Sequence, residues 1–196
     1  PLKDISKSFY HFVASGMKNF YIIPIFLLIV CSFLMGQKTR PRDMGLEIGL
    51  FRTGEWNAIT DVEGVTVGHE TVIQGDSVRT GVTIIKPHGG DVFKNKVMGA
   101  VHVTNGYGKA LGFTQVEELG TIETPIALTN TLNTFLVANA IVDYMISENP
   151  HIRSVNPVVG ETNDSGLNNI RGRHVTKNMF FQRFKMLKAA RWQKVQ

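Results

Sequence analysis

The sequence predicts a layered α/β sandwich, and three observations lead to that expectation. Its 196 residues are 43% hydrophobic, which provides enough apolar surface for the core of one ordinary domain. Nineteen glycines against seven prolines indicate many tight turns between short elements. Segments typical of strands come first and segments typical of helices follow, so the helices are expected to cover a sheet.

Three segments in the first half of the chain are typical of strands. Residues 57–69 alternate apolar and polar side chains around Gly64, which predicts a strand, a turn and a second strand. Residues 79–88 predict the next strand, and residues 97–103 predict another. Asn105–Gly106 follows that segment and is typical of a hairpin turn.

The periodicity then changes from that of strands to that of helices. Residues 112–119 predict a short helix, residues 125–128 a buried strand, and residues 130–147 a longer helix. Asn130 and the threonines beside it carry side-chain oxygens that can cap the start of this helix. A Val-Val run at 158–159 predicts a strand end that delivers small polar residues onto a turn, where binding sites are common.

Charge and cysteine content exclude some classes of function. The formal net charge is +5 and the pI is near 9.4, but the excess of basic residues is concentrated in residues 177–196, which contain no acid. Acids outnumber Lys and Arg between residues 45 and 169, so a nucleic-acid partner is not expected. Cys31 is the single cysteine, which excludes a disulfide within one chain and a cysteine metal site.

Residues 1–36 are typical of an export signal. Met17 is the expected start of translation, and an apolar run over residues 20–35 leads to a small residue, Gly36, before polar sequence. Pro24 and the length of the run argue against a permanent membrane span. The expected location is therefore the periplasm or the outside of a bacterial cell, and the alternative is a membrane anchor formed by an uncleaved leader.

Five segments follow one another in an order that is typical of one enzyme family. The segments are residues 42–45, 57–69, 79–83, 125–131 and 160–175. Each segment alone is a loose motif, but five in sequence are specific. Over residues 40–176 their order and spacing resemble the L-aminopeptidase/D-esterase family of the DmpA type.

That resemblance implies a four-layer α-β-β-α sandwich, incomplete in this chain, in a protein that forms homo-oligomers. It implies a serine aminopeptidase that cuts its own precursor before a serine, whose hydroxyl then acts as nucleophile and whose amine acts as base. Short peptides, amides or esters are the implied substrates, and no metal or cofactor is expected. The serine belongs to a C-terminal half, the β subunit, so residues 37–176 are the N-terminal part of the domain and carry no catalytic residue.

Three side chains in the matching region are candidates for binding substrate. Glu161 is the candidate for holding the substrate's free ammonium, because an aminopeptidase must pair that charge with a carboxylate. Asn163 and Asn130 are candidates for orienting the peptide or an oxyanion. The alternatives are a turn cap for Glu161, a turn former for Asn163 and a helix cap for Asn130. Gly166 stands where relatives commonly carry an aromatic residue, so a step assisted by a phenol is in doubt.

Residues 177–196 form a basic and aromatic tail that departs from the family's pattern. We expect an aberrant tail produced by a frameshift near Lys177, because the neighbouring reading frame permits a continuation with acids and a Gly-Pro turn, as in the family. The rival hypothesis is a complete, noncatalytic binding module whose amphipathic tail contacts a membrane or polyanion. A second rival, the acetyl-transferring branch of the architecture, is disfavoured by the leader. The amphipathic residues are Phe180, Phe181, Phe184, Leu187 and Trp192.

Overall fold

The computed structural model describes residues 40–186. Contacts divide the chain into two units, Pro1–Arg52 and Thr53–Gln196. The described residues of the first unit contain one short 3₁₀ helix, Pro41–Met44. The predicted export signal, residues 1–36, lies outside the described residues. Within the described part of the chain, no helix is long and apolar enough to cross a membrane.

Within residues 40–186 the strands form a five-stranded main sheet and a two-stranded small sheet. Neighbouring strands run antiparallel, except for one central pair that runs parallel. In chain order the strands are β1 (Thr66–Gln74), β2 (Val78–Lys86), β3 (Val97–Met98), β4 (Ala110–Leu111), β5 (Thr121–Ile122), β6 (Ile126–Asn130) and β7 (Val158–Thr162).

The main sheet has the strand order β1-β2-β6-β7-β4, and β3 pairs with β5 in the small sheet. The parallel pair is β6 with β7, in which Asn130 lies opposite Thr162. Because parallel strands end at the same edge of a sheet, the last residues of β6 and β7 lie side by side. The α-helices among the described residues are α1 (Phe113–Leu119), α2 (Thr134–Glu148) and α3 (Lys177–Met186).

One face of the main sheet forms the hydrophobic core with α2 and α3. The register pairs Ile84 with Ala127 and Ala127 with Val159, so these three side chains share a face, and all are fully buried. The α/β class is therefore confirmed, with a sheet layer covered by a helix layer. The helices cover that face with Val137, Ala140, Ile141, Met145, Phe180 and Phe184.

The opposite face of the main sheet stays partly exposed although it carries several apolar side chains. The register pairs Val67 with Ile85 and Ile85 with Ile126, which places an apolar row across three strands. On the same face Leu128 is 42% exposed and Ile73 is 63% exposed. The helix layer and the main sheet are two of the four layers of an α-β-β-α sandwich, and the other face of the sheet is left open among the described residues.

Most predicted elements are confirmed, with shifts at their ends. The second strand predicted within residues 57–69 corresponds to β1, and the prediction at 79–88 corresponds to β2. Residues 125–128 belong to β6, and the predicted helices at 112–119 and 130–147 are α1 and α2.

The first strand predicted within residues 57–69 is wrong. This part of the chain instead contains a 3₁₀ helix, Ile59–Asp61. The Asp61 carboxylate accepts the backbone N–H groups of Trp56 at 2.8 Å and Ala58 at 3.0 Å. Such local bonds compete with a strand ladder for the same backbone donors, which explains why the alternating pattern does not produce a strand here.

The strand predicted over residues 97–103 is wrong in length, since β3 ends at Met98. Its partner β5 has two residues, and one further bond, from Gly99 N–H to the Gly120 carbonyl, continues the pairing. The hairpin considered at Asn105–Gly106 does not form, because β3 and β4 lie in different sheets. The segment between them is largely exposed.

Two polar side chains fix the loops that lead into β6 and β7. Glu123 accepts hydrogen bonds from Lys96 Nζ at 2.9 Å and from Asn156 N–H at 3.0 Å. Burial alone would raise the pKa of Glu123, but these bonds and one from Gln115 outweigh it, so the pKa lies below its usual value. Thr124 Oγ1 accepts the Val158 N–H at 3.2 Å, which ties the start of β7 to β6.

Two glycines that flank α1 provide a matched pair of stability predictions. Gly112 (φ 78°) and Gly120 (φ 63°) both adopt the left-handed conformation. A Cβ at Gly112 would lie 2.6 Å from the Pro157 carbonyl oxygen, whereas one at Gly120 would meet nothing within 4 Å. We expect Gly120→Ala to cost about 1–2 kcal/mol and Gly112→Ala about 1–3 kcal/mol more. Urea denaturation measures both, and equal losses would contradict the predicted clash.

The first ten residues of the predicted tail form α3, which packs into the core. Phe180 is fully buried, and Phe184 is nearly so. The ring centroids of Phe184 and of Tyr144, which lies on α2, are 3.9 Å apart. Lys177 Nζ lies 2.8 Å from Asp143 Oδ2. Burial therefore removes Phe180 and Phe184 from the surface that the rival hypothesis assigns to a membrane or polyanion. Residues 187–196 lie outside the described residues.

Candidate active site

All three predicted substrate-binding residues lie at the edge where β6 and β7 end. Asn130 is the last residue of β6, and Glu161 is the penultimate residue of β7, directly opposite Thr129. Asn163 follows β7 by one residue. The parallel pairing thus brings Asn130 into the neighbourhood of the stretch from Glu161 to Asn163, although more than thirty residues separate them in sequence.

Glu161 presents a nearly buried carboxylate with a single charged neighbour among the described residues. Its side chain is 11% exposed, and Lys109 Nζ lies 3.5 Å from Oε2. Oε2 is buried and accepts no hydrogen bond within residues 40–186. The other oxygen, Oε1, packs against Gly108, where an added Cβ would lie 3.3 Å away. A turn cap would accept backbone N–H bonds, so this carboxylate does not fit the turn-cap alternative.

Asn130 acts as a cap in this structure. Its Oδ1 accepts the Asn133 N–H at 3.0 Å, at the start of the 3₁₀ helix Thr131–Asn133 that leads into α2. Its Nδ2 donates to Thr80 Oγ1 at 2.8 Å. The predicted cap is confirmed, and both ends of the amide are engaged. A role in orienting an oxyanion stays a prediction.

Asn163 forms a local turn at the surface. Its Oδ1 accepts the Ser165 N–H at 3.0 Å, and the side chain is exposed. Within the described residues no hydrogen bond links Asn163 or Asn130 to Glu161. The backbone therefore brings the three residues to one edge, and of these three only Glu161 has a buried acceptor without a hydrogen bond. Among the described residues that follow the two strand ends, Thr131, Asn133 and Asp164 also have buried acceptors without a partner.

Replacing Asn130 with alanine tests whether capping is its main role. The substitution removes a helix cap, so we expect it to lower the free energy of unfolding by about 0.5–2 kcal/mol. The matched control is Asn163→Ala, which removes a bond in an exposed turn and should cost less than about 0.5 kcal/mol. Both values come from chemical denaturation followed by circular dichroism. A neutral Asn130→Ala variant would mean that the cap bond does not stabilise the fold.

The sequence reasoning missed Lys109, the charged partner of Glu161. Lys109 precedes β4, a strand of two residues that pairs Ala110 with Gly160. That pairing brings Lys109 next to Glu161 across an interval of 52 residues. A two-residue strand has no visible alternation in sequence, so periodicity provides no signal for this contact.

The arrangement around Glu161 suits a small organic cation. A carboxylate with an empty acceptor can receive short charge-assisted hydrogen bonds from an ammonium group. Within residues 40–186, no three His, Cys, Asp or Glu side chains come close enough to hold a metal ion. A primary ammonium is therefore one ligand that this carboxylate can bind.

Comparison with known proteins shows which family this chain resembles. The profile of Peptidase family S58 matches residues 57–196. The beta-peptidyl aminopeptidase BapA of Sphingosinicella xenopeptidilytica is 40% identical over 153 residues, which are 72% of this chain and 38% of BapA.

Solved structures agree with that match. A protein of Pyrococcus horikoshii OT3 superposes with a TM-score of 0.71 at 47% identity, over 75% of this chain and 45% of its own. The L-aminopeptidase D-Ala-esterase/amidase of Ochrobactrum anthropi, described as a variant of the Ntn-hydrolase fold, gives a TM-score of 0.66 at 33% identity, over 76% and 44%. The predicted DmpA-type fold, incomplete in this chain, is thereby confirmed.

The chain thus spans about two fifths of the length of the relatives that it matches. Within that span, the profile match covers more than half of the chain, and the sheet with its helix layer superposes on the solved relatives. From these likenesses we conclude that the chain belongs to peptidase family S58.

Proposed function

We propose that this chain is the N-terminal part of an aminopeptidase of the self-cleaving serine type, which releases N-terminal residues from short peptides, amides or esters. Membership of peptidase family S58 supports a hydrolase, and the names of two relatives support the choice of aminopeptidase. The observation in this molecule that carries the proposal is the nearly buried Glu161 carboxylate with an unfilled acceptor.

Glu161 would recognise the free amino terminus of the substrate. An α-ammonium offers three N–H donors, and a carboxylate that is largely shielded from water binds them more strongly than an exposed one. Its position at the end of β7 holds the carboxylate on a rigid element, which favours a fixed substrate orientation. Substrates with a blocked amino group would lose this interaction.

The remaining part of such an enzyme would provide the chemistry. A serine released at a new amino terminus would attack the scissile carbonyl, with its own amine as base. In that scheme this chain contains no nucleophile, so we expect it to be inactive alone. The open face of the main sheet supports this division, since a second sheet from the C-terminal half would cover it. Homo-oligomer formation is part of the same proposal.

Export is proposed on the sequence of residues 1–36. The short basic start, the apolar run and the small residue before polar sequence support a periplasmic or secreted protein. Fractionation of cells that express the tagged gene would test this, and a cytoplasmic product of unprocessed mass would contradict it.

An activity assay tests the proposed function. A version with the downstream frame restored should hydrolyse amino-acid p-nitroanilides that carry a free amino group, whereas the 196-residue chain should not. N-acetylated p-nitroanilides are the matched control and should resist both. Hydrolysis by the highly purified 196-residue chain, or none by a correctly processed longer version, would contradict the proposal. Sequencing the gene across codons 176–178 tests the frameshift separately.

A further inference from the structure

The ion pair of Lys109 with Glu161 differs in geometry from the ion pair of Lys96 with Glu123. Lys109 Nζ approaches Oε2 to 3.5 Å, which exceeds the usual length of a charge-assisted hydrogen bond, about 2.7–2.9 Å. The lysine side chain is 37% exposed and the glutamate 11%, so the cation lies on the solvent side of the carboxylate. The pair therefore supplies opposite charge without filling the acceptor.

The Lys96–Glu123 pair is an example of a structural ion pair in the same chain. There the nitrogen lies 2.9 Å from the carboxylate, and the second oxygen accepts the Asn156 N–H. These bonds hold the pKa of Glu123 below its usual value. Glu161 has no equivalent second donor within residues 40–186. The contrast indicates that the partner of Glu161 is held loosely.

The local structure allows the Lys109 side chain to move away from the Glu161 carboxylate. It lies at the end of the largely exposed segment between β3 and β4, next to the edge strand of the main sheet. Gly108 beside it leaves room for the carboxylate, because a Cβ there would already be in tight contact with Oε1. A movement of the lysine side chain into solvent breaks no hydrogen bond to Glu161.

We propose that Lys109 is a displaceable counter-ion that occupies the ammonium site of Glu161 until an amine takes its place. This inference rests on the proposed function and adds a specificity-determining residue to it. The lysine Nζ and a peptide's α-amino group are both primary ammonium groups, so they compete for one carboxylate. The competition lowers the apparent affinity for every free amine and leaves blocked amines unaffected.

Chemical rescue in the 196-residue chain tests this proposal without catalysis. In Lys109→Ala the vacated carboxylate should bind ethylammonium, so the melting temperature should rise with ethylammonium chloride and saturate. We expect half-saturation at a concentration about tenfold lower than for the unmodified chain. Tetraethylammonium chloride controls for ionic strength and should give no saturable rise. If Lys109→Ala does not fold, Lys109→Met keeps the apolar stem and serves instead.

Two further variants make the outcome decisive. The double variant Lys109→Ala, Glu161→Gln should lose the rescue, and Lys177→Ala, which breaks the exposed pair with Asp143, should show none. Absence of rescue in a folded Lys109→Ala chain, or equal rescue in the double variant, would overturn the proposal. Rescue together with an inactive, correctly processed longer enzyme would leave the ammonium site standing and reject the peptidase. Activity without rescue would reject only the role of Lys109.

Discussion

Replacing Phe180 with alanine is expected to lower the free energy of unfolding by roughly 3–5 kcal/mol. The ring is fully buried in the core between α3 and the main sheet. It packs edge to face on the Phe181 ring and stacks on the Phe184 ring, with centroid distances of 5.5 Å and 5.9 Å. Alanine would leave a cavity in place of these contacts. Urea denaturation followed by far-UV circular dichroism measures the loss.

Gln182→Ala is the matched control, because Gln182 lies on the same helix and is exposed. It should change the free energy of unfolding by less than about 0.5 kcal/mol. A Phe180→Ala variant as stable as this control would mean that α3 does not contribute to the core.

The packing of α3 bears on what a shifted reading frame would produce. A core requires apolar side chains of suitable size at helical spacing more than it requires one particular sequence. Phe180 and Phe184 are four residues apart and therefore lie on the same face of α3. Residues 177–186 can thus stabilise the fold whatever their genetic origin, and the frameshift stays a prediction about the gene.

Sequence patterns predicted the long elements, in which buried and exposed side chains alternate regularly over many residues. The strands β1 and β2 each have nine residues, and α2 has fifteen, so alternation or helical periodicity is visible in them. In contrast, β3, β4 and β5 have two residues each, which is too short for any period. Their positions depend on contacts between distant segments, and the sequence carries no local signal for these contacts.

At the candidate site, too, the sequence predicted the local interactions and missed a contact between distant segments. Local chemistry predicted the cap at Asn130 and the turn at Asn163, and both interactions are present. The prediction of a strand end at residues 158–159 is wrong, since these residues begin β7 and Glu161 lies within the strand, one residue before its end. Lys109 escaped prediction, because only the pairing of β4 with β7 brings it beside Glu161.

In a frame-restored, active enzyme, Glu161→Gln is expected to reduce kcat/KM for substrates with a free amino group. Removing one member of a shielded charge pair costs about 2–5 kcal/mol, which corresponds to a loss of about 30-fold to several thousand-fold. Glutamine keeps the shape of the side chain, so the loss should come from charge and hydrogen bonding rather than packing. Initial rates on an amino-acid p-nitroanilide at low substrate concentration give kcat/KM directly.

The comparison that isolates the ammonium interaction uses Glu117→Gln as control, because Glu117 is an exposed carboxylate on α1. This variant should keep kcat/KM within about twofold of the parent enzyme. If Glu161 binds the ammonium in the ground state and the transition state alike, Glu161→Gln should raise KM and leave kcat nearly unchanged. A loss confined to kcat would instead assign Glu161 to the chemical step. An unchanged kcat/KM would remove Glu161 from the site, because the loss of an ammonium contact must lower kcat/KM.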